Sequence, residues 1–291
     1  MEFRIANLVR FQQIRNSKFQ FPNRKTMSQP LKGVSRIVLV ASGKGGVGKT
    51  TVTVNLALGL AAQGARVGLF DADIYGPNVP LMLGVHRTEE SQGWLPIGRV
   101  ATEPYIKPLE RFGLKVMSIG LLVGEKQAVM PDPRFVGMVV SRTLKDVLWG
   151  ELDYLLVDLP PGTGEPQQSL VKMVNVDGVV VVTTPQDMSL LDAGRSLELY
   201  RQAGVPILGV VENMSYMVCP DCGKQIEVFH RSERDWAVES TEIEVLGRIP
   251  MSPHVSRGID ATHPLLSSTP NGTESAVFRQ IAARLVERLA G

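Results

Sequence analysis

The run Gly43-Lys44-Gly45-Gly46-Val47-Gly48-Lys49-Thr50-Thr51 has the spacing G-x-x-x-x-G-K-[ST], which suits a phosphate. Glycines let successive backbone N–H groups turn inward on an anion. A helix opening at the end of such a loop adds the positive end of its dipole. Lys49 is placed to reach the β- and γ-phosphates, and Thr50 to offer its hydroxyl to Mg²⁺. A Gly-rich turn that binds nothing would not need the apolar strand before it, the helix after it and every fixed position at once.

Carboxylates stand where a metal or an attacking water would meet them. Asp158 closes the apolar run Tyr154–Val157, the place of a Walker B aspartate, and Gly162-Thr163-Gly164 turns beyond it. Asp71 and Asp73 close the run Arg66–Phe70. Mg²⁺ keeps several waters and takes few carboxylates, so such a pair can approach the metal or orient water. Each aspartate alone reads as a turn or cap residue. Three at strand ends, on the edge that carries the phosphate loop, read as a site. Asn213 follows the run Ile207–Val211; its amide matches the donor–acceptor edge of adenine, or caps a turn.

Both cysteines lie in the stretch 217–224, MVCPDCGK. The C-x-x-C turn, closed by Gly223, aims both sulfurs at one point. Structural zinc takes four ligands; Cys219 and Cys222 give two, and His230 offers a third. A [4Fe–4S] cluster takes four thiolates, which two chains across a two-fold axis could supply. A redox disulfide belongs at a thioredoxin-like helix start, which this context lacks. Spacing alone ranks zinc ahead of a bridged cluster, with an inert pair last. His86, His254 and His263 show no ligand spacing, and Trp94, Trp149 and Trp236 read as packing residues.

These residues must be held by a scaffold, and the apolar pattern supplies one. Strands are expected at Arg36–Ser42, Arg66–Phe70, Tyr154–Val157, Gly178–Thr183, Ile207–Val211 and Val245–Ile249. Helical patterns fill Thr50–Gln63, Val136–Trp149, Leu190–Ala203 and Thr273–Leu289. Continuous apolar strands alternating with helices imply an α/β fold, a mostly parallel sheet with helices on both faces. Right-handed crossovers bring the strand C-terminal ends to one edge. Residues 84–135 are rich in Pro and Gly, with a strand at Leu114–Ser118.

Composition narrows the function classes. With 44% hydrophobic and 21% charged residues, the 291-residue chain has a globular profile. A net charge of +2 argues against a strongly basic nucleic-acid binder. No run approaches a membrane span, and two cysteines exclude a disulfide scaffold and fit a reducing compartment. Residues 1–27 hold six basic residues against one acid, so this segment carries +5 and the remainder −3. It reads as an unpacked extension, an upstream start before Met27, or an Arg-rich mitochondrial transit peptide. The expected organisation is a basic extension over 1–32 and one ATPase domain over 33–291, with the cysteine loop at 217–224.

The second lysine, Lys44, makes the loop resemble the deviant Walker A motif of the MinD/Mrp class of P-loop ATPases. Asp71–Pro77 (DADIYGP), Leu152–Gly164 (LDYLLVDLPPGTG), Val211–Tyr216 (VENMSY) and Cys219–Cys222 (CPDC) resemble the Mrp/ApbC/Nbp family of iron–sulfur cluster carrier ATPases, from about residue 33 to the C-terminus. The resemblance implies that Lys44 reaches a partner's nucleotide across a homodimer. It implies that Asp73 acts on the hydrolytic water and that Asp158 holds Mg²⁺ through water. Asn213 and the Pro250 loop would line the adenine pocket, and the cysteines of two subunits would bridge one [4Fe–4S] cluster.

Three features depart from the family. Many bacterial relatives carry an extra N-terminal domain, for which residues 1–32 are too short. Met130-Pro-Asp-Pro-Arg134 stands where many have Trp-Arg-Gly, and Gly164-Glu165-Pro166 replaces Gly-Asp. The expectation is an ATP-dependent carrier with slow intrinsic ATPase, delivering clusters to apo-proteins. It would work in the cytoplasm, or in the mitochondrial matrix if residues 1–27 target it there, without nucleic acid or stable membrane insertion. The rivals are a MinD/ParA-like positioning ATPase and a zinc-stabilised ATPase without cluster chemistry.

Overall fold

β-branched and leucine-rich runs form the central strands of a computed structural model that describes residues 30–85, 98–100, 103–121, 133–229, 243–255 and 262–290. In chain order the described elements begin with β1 (Val34–Ser42), α1 (Lys49–Ala61), β2 (Val67–Asp71) and α2 (Val79–Leu83). Short strands β3 (Gly98–Val100), β4 (Glu103–Tyr105) and β5 (Leu109–Arg111) precede β6 (Leu114–Ser118) and α3 (Pro133–Asp146). Then come β7 (Leu152–Asp158), α4 (Glu165–Met173), β8 (Gly178–Thr183), α5 (Asp187–Gln202) and β9 (Ile207–Glu212). The chain closes with β10 (Met217–Val218), β11 (Gln225–Ile226), β12 (Val245–Arg248), α6 (Leu265–Ser268) and α7 (Thr273–Ala290).

Eight strands make one sheet in the order β12-β9-β8-β1-β7-β2-β6-β5. All its pairings are parallel except β5 with β6. The expected α/β architecture is therefore the observed one. β1, β7 and β2 are neighbours, and the register sets Asp71 opposite Asp158. Parallel pairing thus carries both carboxylates to the edge where the loop after β1 emerges.

Alternation along the strands sends side chains to two cores. Leu39, Phe70, Leu155, Val157 and Val181 pack on one face, and Val38, Val40, Leu69, Leu156 and Val180 on the other. α1 is buried along nearly its whole length, as an all-round apolar helix must be. α7 covers it with Phe278, Ile281, Ala282 and Leu285, spaced as one helical face. Gly59 permits the close approach, since a Cβ there would stand 3.1 Å from that of Ala282.

The expected strands agree with the observed ones within two residues, and Leu114–Ser118 agrees in full. The helix expected at Val136–Trp149 instead spans Pro133–Asp146. Trp149 lies beyond its end, buried, with its indole N–H donating to the Leu144 carbonyl at 3.0 Å. The apolar signal of Trp149 came from core packing rather than helix. Residues 1–29, His86, Trp94, Met130–Asp132, His230 and Trp236 lie outside the described residues. Among the described residues no helix is long and apolar enough to cross a membrane.

Phe278 is fully buried between α7 and the sheet face that carries α1. Phe278→Ala should lower the unfolding free energy by about 3–5 kcal/mol in a urea titration. An unchanged midpoint would show that α7 does not close this core.

Candidate nucleotide site and cysteine hairpin

The loop from Gly43 to Gly48 joins β1 to α1 and lines a cleft of about 250 Å³ with Lys49, Thr50, Thr51, Asp73, Asn78, Leu81, Met82 and Pro161. Gly48 has φ 79° and is the N-cap of α1. A Cβ there would also strike the side-chain amide of Asn213. At Gly43 a Cβ would strike the backbone of Asp192 on α5. Both glycines are thus required by close approach, and Gly48 also by its positive φ.

Lys49 and Asp158 form the centre. Lys49 Nζ lies 2.8 Å from Asp158 Oδ2 and 3.9 Å from Asp73 Oδ2. Thr50 Oγ1 donates to Asp158 Oδ2 at 2.7 Å. The Asp158 side chain is fully buried and that of Lys49 is 6% exposed. Two charges taken from water this far need each other.

Asp71 and Asp73 divide their work. Asp73 accepts from the backbone N–H groups of Tyr75 and Gly76 at 3.3 and 3.2 Å. Burial raises its pKa against the lowering effect of the Lys49 ammonium. Asp71 is fully buried; it accepts from Asp73 N at 3.1 Å, Val79 N at 3.3 Å and Ser118 Oγ at 3.0 Å. Burial first, and Asp158 second, push its carboxyl up to about 8. The structure therefore makes Asp71 a brace for the loop 71–79, where the sequence pattern allowed it a direct part at the metal or water.

The remaining site residues surround this centre. Lys44 Nζ donates to Gln186 Oε1 at 3.2 Å, just before α5. Asn213 donates through Nδ2 to the Val47 carbonyl at 2.9 Å, so it props the phosphate loop directly. Pro250 is buried between Ile249, which donates to Glu212 O at 2.8 Å, and Met251, which donates to Tyr216 O at 2.7 Å.

Sequence reasoning missed Thr53, Ser118 and Gln186. Thr53 had a readable signal: it lies one helical turn from Lys49, hence on the same face. Ser118 and Gln186 reach their partners only through sheet pairing and helix packing.

The cysteines sit on the β10–β11 hairpin. Met217 pairs with Ile226 and Val218 with Gln225. Cys219 N donates to Lys224 O and Gly223 N to Cys219 O, both at 2.9 Å, and Gly223 has φ 70°. Both thiols are free; Cys219 is half-buried and Cys222 exposed. Val218, Ile226 and Val228 are exposed beside them. Among the described residues no group of three or more His, Cys, Asp or Glu side chains could hold a metal ion, so the hairpin offers two thiols.

The chain is similar to known proteins. The family described as ParA, NUBPL iron-transfer P-loop NTPase, matches residues 33–286. The iron–sulfur cluster carrier protein of Deinococcus radiodurans is 42% identical over 267 residues, covering 91% of this chain and 73% of that protein. The iron–sulfur cluster transfer protein NUBPL of Mus musculus is 37% identical over 263 residues, covering 90% and 80%. A nucleotide-binding protein from Archaeoglobus fulgidus, solved in complex with ADP, is 32% identical with a TM-score of 0.65, covering 84% of this chain and 91% of that one. The cell-division ATPase MinD of Pyrococcus furiosus is 27% identical with a TM-score of 0.64, covering 87% and 99%.

Backbone N–H groups of Cys222 first, then Asp221, and then the Cys222 thiol favour the Cys219 thiolate and lower its pKa. A lowered pKa keeps thiolate present at lower pH. Alkylation of Cys219 by iodoacetamide, followed by peptide mass spectrometry, should therefore extend to lower pH in the folded protein than in the urea-unfolded chain. A midpoint equal to or above that of the unfolded chain would contradict the hairpin geometry.

Proposed function

The chain belongs to the NUBPL iron-transfer P-loop NTPase family, and from that premise we propose that it is an ATP-dependent carrier that binds a [4Fe–4S] cluster and delivers it to apo-proteins. The carrying observation is that one chain joins a P-loop centred on Lys49 and Asp158 to an exposed hairpin with two free thiols. Curated relatives at about this similarity are named iron–sulfur cluster carriers. The reading treats residues 33–291 as one ATPase domain.

In this reading the N–H groups of the loop 43–51 and Lys49 hold the phosphates. Thr50 and Asp158 are hard oxygen donors, the chemistry Mg²⁺ prefers, with Asp158 acting through water. When bound there, Mg²⁺ would supply charge neutralisation to the phosphates. Asp73, in a long ion pair with Lys49 at 3.9 Å, orients the attacking water. Asn213 and Pro250 line the adenine pocket. Turnover is slow alone, because the chemistry is mostly positioning of charge.

Two thiols per chain fall short of the four a cluster takes. We therefore assign the cluster to a homodimer, with Cys219 and Cys222 of two chains around it and Lys44 reaching the partner's nucleotide. The likeness to MinD favours a second reading, a positioning ATPase, but that reading gives the two thiols no work. The carrier reading fits a cytoplasmic protein, or a matrix protein if residues 1–27 are a targeting segment.

Lys49→Ala should abolish ATP binding or turnover, because a buried counter-charge of the phosphates is lost; wild-type ATPase in that variant would refute the site. Cys219→Ser and Cys222→Ser should each lose the iron taken up in anaerobic reconstitution, and the reactivation of an apo-[4Fe–4S] acceptor enzyme. Both should keep ATP binding. Transfer at the wild-type rate without either thiol would refute the carrier reading.

A further inference from the structure

One hydroxyl approaches the site from beneath the phosphate loop. Thr53 lies on α1, four residues past Lys49, and is fully buried. Its Oγ1 stands 2.6 Å from Asp158 Oδ1 and 2.9 Å from the Lys49 carbonyl. A hydroxyl has one proton, and the carboxylate is the nearer and the charged acceptor. Lys49 Nζ and Thr50 Oγ1 both go to the other oxygen, Oδ2, at 2.8 and 2.7 Å. The two oxygens of Asp158 are thus kept distinct, Oδ1 toward the helix interior and Oδ2 toward the phosphate loop.

Rotation about the terminal torsion of an aspartate is soft. The donor opposing that rotation is itself stiff, because a β-branched side chain in a helix has few rotamers. Removing the hydroxyl would leave Oδ1 buried without a donor, which costs more than the bond is worth when made. The carboxylate would then turn or draw in water, and Oδ2 would leave its place.

We propose that Thr53 is a positioning residue for the ATPase reaction, holding Oδ1 of Asp158 so that Oδ2 is presented to Thr50 and Lys49, the side assigned to Mg²⁺. This rests on the assignment of Thr50 and Asp158 to Mg²⁺ above. Partners that orient a metal-binding carboxylate typically change metal affinity by about 10–100-fold when lost.

The test is ADP binding by calorimetry, in excess Mg²⁺ and in EDTA, for the wild type, Thr53→Val and Thr53→Ser. The wild type should bind more tightly with Mg²⁺. Thr53→Val keeps the shape and removes the hydroxyl. It should lose about tenfold of that Mg²⁺ advantage, while affinity in EDTA stays within about twofold. Its ATPase should need correspondingly more Mg²⁺ for half-saturation. Thr53→Ser should restore both. If Thr53→Val does not fold, Thr53→Ala against Thr53→Ser makes the same comparison. An Mg²⁺ advantage unchanged in the variant without the hydroxyl, or lost equally in Thr53→Ser, overturns the proposal and leaves the site intact. A wild type whose ADP affinity ignores Mg²⁺ overturns the Mg²⁺ assignment, and the proposal with it.

Discussion

The ion pair of Lys49 and Asp158, buried where two adjacent strands end, is the constraint on which the site depends. Each charge lies almost wholly outside water, so each needs the other or a ligand of equivalent charge. Asp158 reaches Lys49 because β7 lies next to β1 in register, and Lys49 reaches Asp158 because the glycine loop turns the chain straight into α1. Breaking one partner of such a pair typically costs about 3–5 kcal/mol, since a bare buried charge remains. The same arrangement suits phosphate chemistry: a cation can leave a carboxylate for a phosphate, and a carboxylate can serve a metal's water shell.

Around this pair the fold places supports that brace its loops. Asp71 joins the end of β2 to Ser118 at the end of β6 and to Val79 at the start of α2, which fixes where Asp73 begins its turn. Asn213 ties the end of β9 to the phosphate loop. Only the short segment 214–216 then separates Asn213 from the cysteine hairpin, and its backbone is paired to 249–251. The thiols are therefore carried on an arm rooted at the phosphate loop.

Much of this was legible in the residues. The glycine spacing, the aspartates at strand ends and the C-x-x-C turn are local patterns, and the structure puts the glycines between β1 and α1, Asp71 and Asp158 at the ends of β2 and β7, and the cysteines in a hairpin turn. The elements that escaped were short or polar. α2 and β5 span few residues, and α4 opens with Glu165-Pro166 and a pair of glutamines rather than an apolar stripe, although Pro in the first turn is a helix-start signal. Thr53 looked like one more β-branched helix residue, because its partner Asp158 is 105 positions away. Asp71 and Asp73 read alike in sequence. Their partners separated them, Ser118 and Val79 for Asp71 and Lys49 for Asp73, and those partners meet only in the packed sheet.

A cluster shared by the thiols of two chains, as proposed above, would fix the mass of the loaded protein. Native mass spectrometry of the anaerobically reconstituted protein weighs chains and metal together. A species of two chains with one [4Fe–4S] cluster is expected, absent in Cys222→Ser. A single chain carrying one zinc ion, with no iron-containing dimer, would contradict it.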